Sequence, residues 1–254
     1  MKTAFVTGVG SDIGREVAVF LGSKGYKILS HDMKTNEEAL EKSHNELKKR
    51  GIPYSVYYAD LSNTNETSTM CDKILKNENN IGAIIQVAGG STAFGHDQIT
   101  PDQIINATNV NLVSQMIITH KLLPKLTDGS IVVFTVALSG IHAGWYLTDA
   151  CFDAAKGGIL RFAENMARNL GPKTRVNSIA IGLSYVDDNY KDWRDGIVPK
   201  IPMGRLSRPE DYVKCVEFFL SHEYITAVTL RLDGGWFTYT DSPPFKTAMM
   251  VKGS

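Results

Sequence analysis

Short apolar runs alternate with longer amphipathic stretches along most of the chain. The apolar runs have the length of buried strands, and the amphipathic stretches repeat apolar residues every three or four positions, as helices do. Strands are predicted at residues 4–6, 27–31, 54–58, 83–87, 130–135, 175–180 and 228–232. Helices are predicted at residues 15–23, 36–50, 64–76, 101–123, 148–170 and 209–221. This alternation predicts an α/β protein with a doubly wound, seven-stranded parallel sheet and helices on both faces.

No linker or change in composition interrupts this order, so residues 1–236 are predicted to form a single domain. The last segment, residues 237–254, contains Pro243-Pro244 and has no clear hydrophobic period. It is predicted to be a C-terminal tail or an arm that packs on a neighbouring subunit.

The composition of the 254-residue chain, 43% hydrophobic and 21% charged, is typical of a globular domain. Lys plus Arg and Asp plus Glu number 27 each, and this balance argues against a nucleic-acid or membrane partner. No apolar run has the length of a membrane span, and the N-terminus leads straight into a strand, without a signal peptide. Cys71, Cys151 and Cys215 show neither disulfide nor metal spacing. We therefore expect a cytoplasmic protein without a metal site.

A turn of small residues, Thr7 to Gly14, follows the first predicted strand and opens the first helix. Such a turn lets a pyrophosphate approach backbone N–H groups and the positive end of a helix. Asp32 ends the second strand, where its carboxylate can accept both hydroxyls of an adenosine ribose and repel a 2′-phosphate. A turn-forming role for Asp32 is the alternative. The pattern predicts a bound dinucleotide, NAD in preference to NADP, while Arg15 and Lys34 leave NADP open.

In these features the chain resembles the short-chain dehydrogenases/reductases, over about residues 3–236. The family motif Thr-Gly-x-x-x-Gly-x-Gly is similar to Thr7 to Gly14, except that Asp12 replaces the middle glycine. We expect Asp12 to point away from the pyrophosphate and to cap the helix that follows. The resemblance implies a Rossmann fold. It also implies these cofactor-binding residues: Gly8, Ser11, Asp12, Ile13, Gly14, Asp32, Asp60, Leu61, Ala88, Gly89, Lys156 and Gly182.

Later motifs of the family are present with changes. Its Asn-Asn-Ala-Gly is similar only to residues 86–89, Gln-Val-Ala-Gly, and Ile181 stands where a proline usually precedes Gly182. Residues 201–206 and 233–235 resemble the exit of the substrate loop and the final turn. The resemblance therefore implies a substrate loop at residues 183–201 and assembly as a homotetramer.

The family uses a catalytic tetrad of Asn, Ser, Tyr and Lys. The resemblance implies Asn111 and Lys156 as the Asn and the Lys, although Asn111 could instead only bend its helix. The tyrosine position, four residues before Lys156, is occupied by Phe152. Phenylalanine has no hydroxyl, so it can neither donate a proton nor hydrogen-bond to a developing alkoxide. The central proton donor of the family is thus predicted to be missing.

The serine of the tetrad has two candidate positions. Counting thirteen residues back from Phe152 leads to Ser139, whereas counting forward from the fifth strand leads to Val136. We favour Ser139, because it is the nearby residue with a hydroxyl that could bind a substrate oxygen.

Asp149 is a candidate for the missing donor, because it lies seven residues before Lys156 and shares one helical stripe with Phe152. The simpler alternative is that Asp149 stabilises the N-terminus of this helix. Tyr146 could also bring a hydroxyl into the site. Substrate contacts are predicted for Ser139, Trp145, Tyr146 and Trp193, within walls formed by residues 91–95, 139–146 and 183–201.

The function predicted from these features is NAD(P)-dependent hydride transfer to or from a small, partly apolar carbonyl, alcohol, imine or enone. The proton donor is predicted to be atypical or disabled. The alternatives are a non-redox enzyme derived from this family, such as a cyclase or an isomerase, and an inactive NAD-binding protein.

Overall fold

A computed structural model describes residues 1–90, 99–142, 150–184 and 195–238. Its strands are β1 (Thr3–Thr7), β2 (Lys27–Asp32), β3 (Tyr54–Tyr58), β4 (Ile81–Gln86), β5 (Leu126–Ala137), β6 (Thr174–Ile181) and β7 (Thr229–Leu232). Its main helices are α1 (Asp12–Ser23), α2 (Glu37–Lys49), α3 (Thr64–Asn77), α4 (Pro101–Thr108), α5 (Ser114–Leu122), α6 (Ala150–Leu170) and α7 (Pro209–Ser221). The predicted strands and helices are present with their ends shifted by a few residues, except that the single helix predicted at residues 101–123 is divided into α4 and α5 by the π-helical turn Asn109–Val113.

The seven strands form one sheet in the order β3-β2-β1-β4-β5-β6-β7, and every pair of neighbours is parallel. The predicted single-domain, doubly wound Rossmann fold is therefore confirmed. The chain reverses its direction of winding between β1 and β4. In sheets of this kind, ligands bind in the crevice beyond the carboxyl ends of the strands at such a point.

Apolar side chains cover both faces of the sheet, because successive residues of a strand point to opposite sides. Phe5 and Ile84 pack with Ile159 of α6 on one face, and their neighbours Val6 and Ile85 pack on the other. Burial on both faces explains why the central strands β1, β4 and β5 contain continuous apolar runs.

The end of the described chain is packed against the domain. Residues Trp236–Thr238 form a 3₁₀ turn, and the ring of Phe237 lies 4.6 Å from that of His142, centroid to centroid. The guanidinium of Arg231 lies 4.3 Å from the centre of the same Phe237 ring. The predicted tail, residues 237–254, is described only as far as residue 238. Among the described helices, none has both the length and the apolar character needed to cross a membrane.

Candidate dinucleotide and active site

A cavity of about 660 Å³ opens beyond the carboxyl ends of β1, β2 and β4, at the point where the winding reverses. Seven of the residues predicted to bind the cofactor line it: Gly8, Ser11, Asp32, Asp60, Leu61, Ala88 and Gly89. The structure also places His31, Asn36, Ser62, Asn106 and Val110 in its wall, none of which was singled out from the sequence. Each lies within a few residues of Asp32, Asp60 or Asn111 in the chain, and this proximity is the signal that could have identified them.

Close backbone packing shapes the glycine turn between β1 and α1. Gly8 has a φ of +71°, which side-chain-bearing residues rarely adopt. Gly14 approaches the turn so closely that a Cβ atom on it would overlap the carbonyl oxygen of Gly8. The side chain of Ser11 accepts a hydrogen bond from the Gly14 N–H at 3.0 Å and donates one to the Gly8 carbonyl at 2.7 Å. The N-terminus of α1 is thereby held directly below the cavity.

The prediction that Asp12 caps α1 is wrong. Ser11 is the N-cap, since its extended backbone and short hydroxyl reach the N–H of Gly14. Asp12 is the first residue of the helix itself, and its carboxylate accepts a 2.6 Å hydrogen bond from the guanidinium of Arg15. Its side chain is 62% exposed. Ile13 and Gly14 are not part of the cavity wall, so Gly14 acts on the site through the shape of the turn.

Asp32 joins the end of β2 to the glycine turn. One carboxylate oxygen accepts a 2.7 Å hydrogen bond from the Gly10 N–H. The other accepts bonds from the Met33 N–H at 2.8 Å and from the Asn36 amide at 3.2 Å. The carboxylate is nearly buried, yet it lines the cavity. Among the described residues of the wall there are two aspartates, Asp32 and Asp60, and no lysine or arginine.

His31 and Asp60 complete this end of the cavity. His31 is buried, and burial lowers the pKa of its imidazole to about 4, so the ring is neutral. Its Nε2 lies 3.2 Å from the carbonyl oxygen of Ala59, which requires that nitrogen to carry the proton. Asp60 accepts a 2.8 Å hydrogen bond from the Ser62 N–H, which orients its carboxylate at the cavity wall. This end of the cavity wall therefore carries carboxylates and an uncharged imidazole.

Asn111 lies in a π-helical turn, Asn109–Val113, that joins α4 to α5. Its amide donates hydrogen bonds of 2.9 Å to the carbonyl oxygens of Gly90 and Ala107. Its side-chain oxygen accepts a 3.0 Å bond from the Gly90 N–H. The buried Asn111 side chain therefore holds the segment after β4 in place. It also lies where the helix is irregular, in the π-helical turn.

Lys156 projects from α6 into the same region and is 3% exposed. Its Nζ donates a 3.0 Å hydrogen bond to the carbonyl oxygen of Thr135 and lies 5.5 Å from the centre of the Phe152 ring. A Cβ atom on Gly89 would lie 2.8 Å from this Nζ and 2.7 Å from the Asn111 side-chain oxygen. Lys156 and Asn111 therefore meet at Gly89, which lines the cavity. Burial lowers the pKa of the Lys156 ammonium to about 8.

Ser139 lies in a 3₁₀ turn, Leu138–Gly140, that packs on α6. A Cβ atom on Gly140 would lie 2.8 Å from the Cβ of Lys156, so the turn touches the helix at this lysine. Val136 is fully buried in β5, where it belongs to the core. Of the two candidate positions, Ser139 is the one that carries a hydroxyl beside α6.

Other predicted residues lie away from the cavity or outside the described chain. Gly182 follows β6, and its N–H donates a 2.9 Å hydrogen bond to the Leu232 carbonyl, so it joins β6 to the end of β7. The predicted site residues Trp145, Tyr146, Asp149 and Trp193 and the predicted wall at residues 91–95 lie outside the described residues. Most of the predicted substrate loop, 183–201, does as well.

The chain belongs to the short-chain dehydrogenases, because the family model described as short chain dehydrogenase matches residues 2–195. The uncharacterized oxidoreductase YmfI of Bacillus subtilis is 29% identical over 252 residues, covering 92% of this chain and 98% of that protein. Versicolorin reductase stcU of Emericella nidulans is 27% identical over 255 residues, covering 93% of this chain and 96% of that protein.

A solved structure shares the fold. A short chain dehydrogenase from Burkholderia cenocepacia, crystallised in complex with NADP, has a TM-score of 0.85 at 22% identity, covering 93% of this chain and 98% of that one. The family predicted from the sequence is confirmed. The replacement of the family's tyrosine by Phe152 stays a prediction.

Proposed function

We propose that this chain is a nicotinamide-dinucleotide-dependent oxidoreductase that interconverts a carbonyl group and an alcohol, or reduces an imine or enone, on a small, partly apolar substrate. The observation that carries the proposal is the meeting of Lys156 and Asn111 at Gly89, on the wall of a cavity beside a glycine turn and a helix N-terminus. The family membership and the two relatives named as an oxidoreductase and a reductase support it.

The described residues fit a dinucleotide. Bare backbone at Gly8 and Gly10 and the N-terminus of α1 suit a pyrophosphate, which is anionic and accepts N–H hydrogen bonds. Asp32 and Asp60 lie on the wall, where they can accept hydrogen bonds from ribose hydroxyls or an adenine amino group. When bound, the nicotinamide supplies or takes up the hydride, while the protein holds the reactants and moves the proton.

The choice between NAD and NADP depends on Asp32. A carboxylate on the wall, with no described lysine or arginine lining the same cavity, disfavours a 2′-phosphate, and on this ground we propose NAD. The solved relative from Burkholderia cenocepacia contains NADP, which favours the other cofactor. Equilibrium titration of the chain with both dinucleotides distinguishes the two.

Replacing Asp32 with Asn should raise the affinity for NADP by about tenfold or more and lower that for NAD. The charge that repels the phosphate is removed, and a gain of tenfold corresponds to about 1.4 kcal/mol. Asn keeps the shape of the side chain, and its oxygen can still accept the hydrogen bond from the Gly10 N–H, although its amide nitrogen cannot accept those from the Met33 N–H and the Asn36 amide. The measurement is a fluorescence titration with NADH and NADPH.

Asp60→Asn is the matched control, since it removes an equal charge elsewhere on the cavity wall and should leave the preference between the two dinucleotides unchanged. A parent chain that binds NADP more tightly than NAD would show that Asp32 does not face the 2′ position of the ribose.

The proposed oxidoreductase activity is tested by mixing the chain and its bound NADH or NADPH with a panel of aryl ketones, imines and enones under single-turnover conditions. Loss of nicotinamide absorbance with one of these compounds is the expected result. The second candidate is a non-redox enzyme or an NAD-binding protein, and the absence of a hydroxyl on Phe152 is the reason to consider it. Dinucleotide binding without any hydride transfer would favour this candidate.

Two further proposals rest on the family resemblance. The chain is proposed to act in the cytoplasm as a homotetramer, with the helices α4, α5 and α6 at a subunit contact. Sedimentation equilibrium tests the assembly, and a monomeric mass at micromolar concentration would refute it. Residues 1–236 are proposed as the catalytic domain, with a substrate loop at 183–201 and an arm at 237–254.

A further inference from the structure

We propose that Lys156 is itself the proton donor to the substrate oxygen. This inference rests on the proposed function and assigns to the lysine a task that the family gives to the tyrosine. The side chain at the tyrosine position, Phe152, has a ring without a hydroxyl, so it leaves the developing alkoxide without its usual acid. The ammonium of Lys156 lies over this ring, 5.5 Å from its centre, and carries protons that it can donate.

The position of the ammonium suits this task. Nζ lies beside the face of the Phe152 ring, 5.5 Å from its centre, and also at Gly89 on the wall of the dinucleotide cavity. It is therefore close both to the ring at the predicted tyrosine position and to the wall of the cavity. An ammonium has three N–H donors, and the carbonyl oxygen of Thr135 takes one at 3.0 Å. The others can serve a ribose hydroxyl and a substrate oxygen.

The surroundings of Nζ make the proton easy to lose. The elements packed against Lys156 bring neutral groups to it: the Thr135 carbonyl from β5 and the Asn111 amide from the π-helical turn, while the 3₁₀ turn touches its Cβ at Gly140. Titratable groups close in the chain are Cys151 and Asp153 on α6 and His142 in the preceding loop, while Tyr146 and Asp149 lie outside the described residues. Burial is the cause that lowers the pKa of Lys156 to about 8, without a charged partner among the described residues.

A lysine in this state is a suitable general acid, because acids with a pKa near the working pH transfer protons most effectively. In the reduction of a carbonyl group, a hydride from a reduced nicotinamide, whose own C–H bond breaks, would form a C–H bond at the carbonyl carbon, and the π electrons of the C=O bond would move to oxygen. The N–H bond of Lys156 then breaks and an O–H bond forms, leaving an alcohol and a neutral amine. The amine regains a proton from water, and the oxidation of an alcohol is the reverse.

The first test needs no turnover. The pKa of Lys156 is measured in the chain alone by ¹³C NMR of its labelled ε-carbon, with the signal assigned by its absence in Lys156→Arg. We expect a titration near pH 8, far below the ordinary lysine value of 10.5. Lys121, which pairs with Asp72 and lies on α5 away from the cavity, supplies the matched Lys→Arg variant, in which the Lys156 signal should be unchanged. A Lys156 signal that titrates near 10.5 overturns the assignment.

The second test follows the pH dependence of single-turnover reduction, with the dinucleotide saturating as judged by titration at each pH. In the parent chain the rate should fall about tenfold for each pH unit above the pKa of Lys156. Lys156→Arg keeps the positive charge but cannot release a proton, so the rate should drop by about 10²–10⁴. Lys121→Arg is the matched control, and its rate and pH profile should equal those of the parent.

The decisive variant is Lys156→Cys alkylated with 2-bromoethylamine, which restores an amine of similar length that is a weaker base than lysine. In this variant the single-turnover rate should begin to fall at a lower pH than in the parent. A lysine that only binds the ribose would leave the pH at which the rate falls unchanged. The parent chain treated with the same reagent controls for reaction at Cys151, which is half-buried.

The outcomes separate this inference from the proposed function. If hydride transfer occurs but the rate of the alkylated variant falls at the same pH as that of the parent, the role of Lys156 is overturned and the proposed oxidoreductase activity is retained. Bound dinucleotide without hydride transfer in the parent overturns both the proton transfer and the proposed redox reaction. A chain that binds neither NADH nor NADPH overturns the dinucleotide site as well.

Discussion

Gly14→Ala should abolish dinucleotide binding and destabilise the fold. The added Cβ atom would overlap the carbonyl oxygen of Gly8 and also lie 2.7 Å from the carbonyl carbon of that residue. Both are backbone atoms that no rotamer change can move away, so the turn itself must shift. Overpacking of this kind costs about 1–3 kcal/mol, and here more is expected because the neighbours are backbone. The free energy of unfolding from urea titration and the affinity for NADH measure the two effects.

Gly196→Ala is the control for this prediction, because a Cβ atom there has no neighbour within 4 Å and the backbone is not in the positive-φ region. It should leave the affinity for NADH unchanged and stabilise the fold by about 1 kcal/mol at most, opposite in sign to Gly14→Ala. A Gly14→Ala variant that keeps the affinity of the parent would mean that the dinucleotide does not depend on the shape of this turn.

Phe152→Tyr should raise the single-turnover rate by about 10², the lower end of the range for a general acid, because Lys156 already supplies a proton in the parent. The hydroxyl would be close to the Lys156 ammonium, which lies 5.5 Å from the present ring centre and favours the phenolate form. The falling limb of the pH profile should therefore move as the phenol replaces the amine as donor. Stopped-flow absorbance of the nicotinamide measures both rate and limb.

Phe162→Tyr on the same helix is the matched control, because it adds the same hydroxyl to a ring that packs against His120 and Phe134, away from Lys156. It should leave the rate and the profile unchanged. If Phe152→Tyr behaves like Phe162→Tyr, the proton is delivered from a direction that Phe152 does not face, and residues 143–149 become the place to search.

The fold could be predicted well from the sequence because its signals are local. β3 and α7 have the predicted bounds, Tyr54–Tyr58 and Pro209–Ser221, since turn residues precede the first and Pro209 opens the second. β5 extends beyond its predicted residues, 130–135, to Leu126–Ala137. Asp128 and Gly129 read as a break in an apolar run, yet they remain within the strand.

The site was predicted less completely, because its contacts join residues that are distant in the chain. The partner of Lys156 is a backbone carbonyl at Thr135, and any residue type could provide it. The N-cap of α1 is the last residue with an extended backbone, either Ser11 or Asp12. The residue types alone leave this undecided, because serine and aspartate are both good caps. His31 was missed because a histidine inside an apolar strand is usually a core residue, and its place in the cavity wall depends on the neighbouring strands.

The burial of Lys156 also has a thermodynamic consequence for the whole molecule. Its pKa is about 8 in the folded chain and near 10.5 once unfolding exposes it to water. Unfolding therefore takes up a proton between these values, and the free energy of unfolding should rise with pH across this interval. Below pH 8 the folded state bears the full cost of a desolvated ammonium, and above 10.5 the cost is gone.

Lys156→Met, which fills most of the space of the side chain without its charge, should therefore melt at a higher temperature than the parent at neutral pH. The difference between the two should shrink as the pH is raised. Calorimetry of both proteins at several pH values measures it, and equal melting temperatures at every pH would contradict the burial. The buried ammonium of Lys156 therefore makes the folded chain less stable at neutral pH than it would be without that charge.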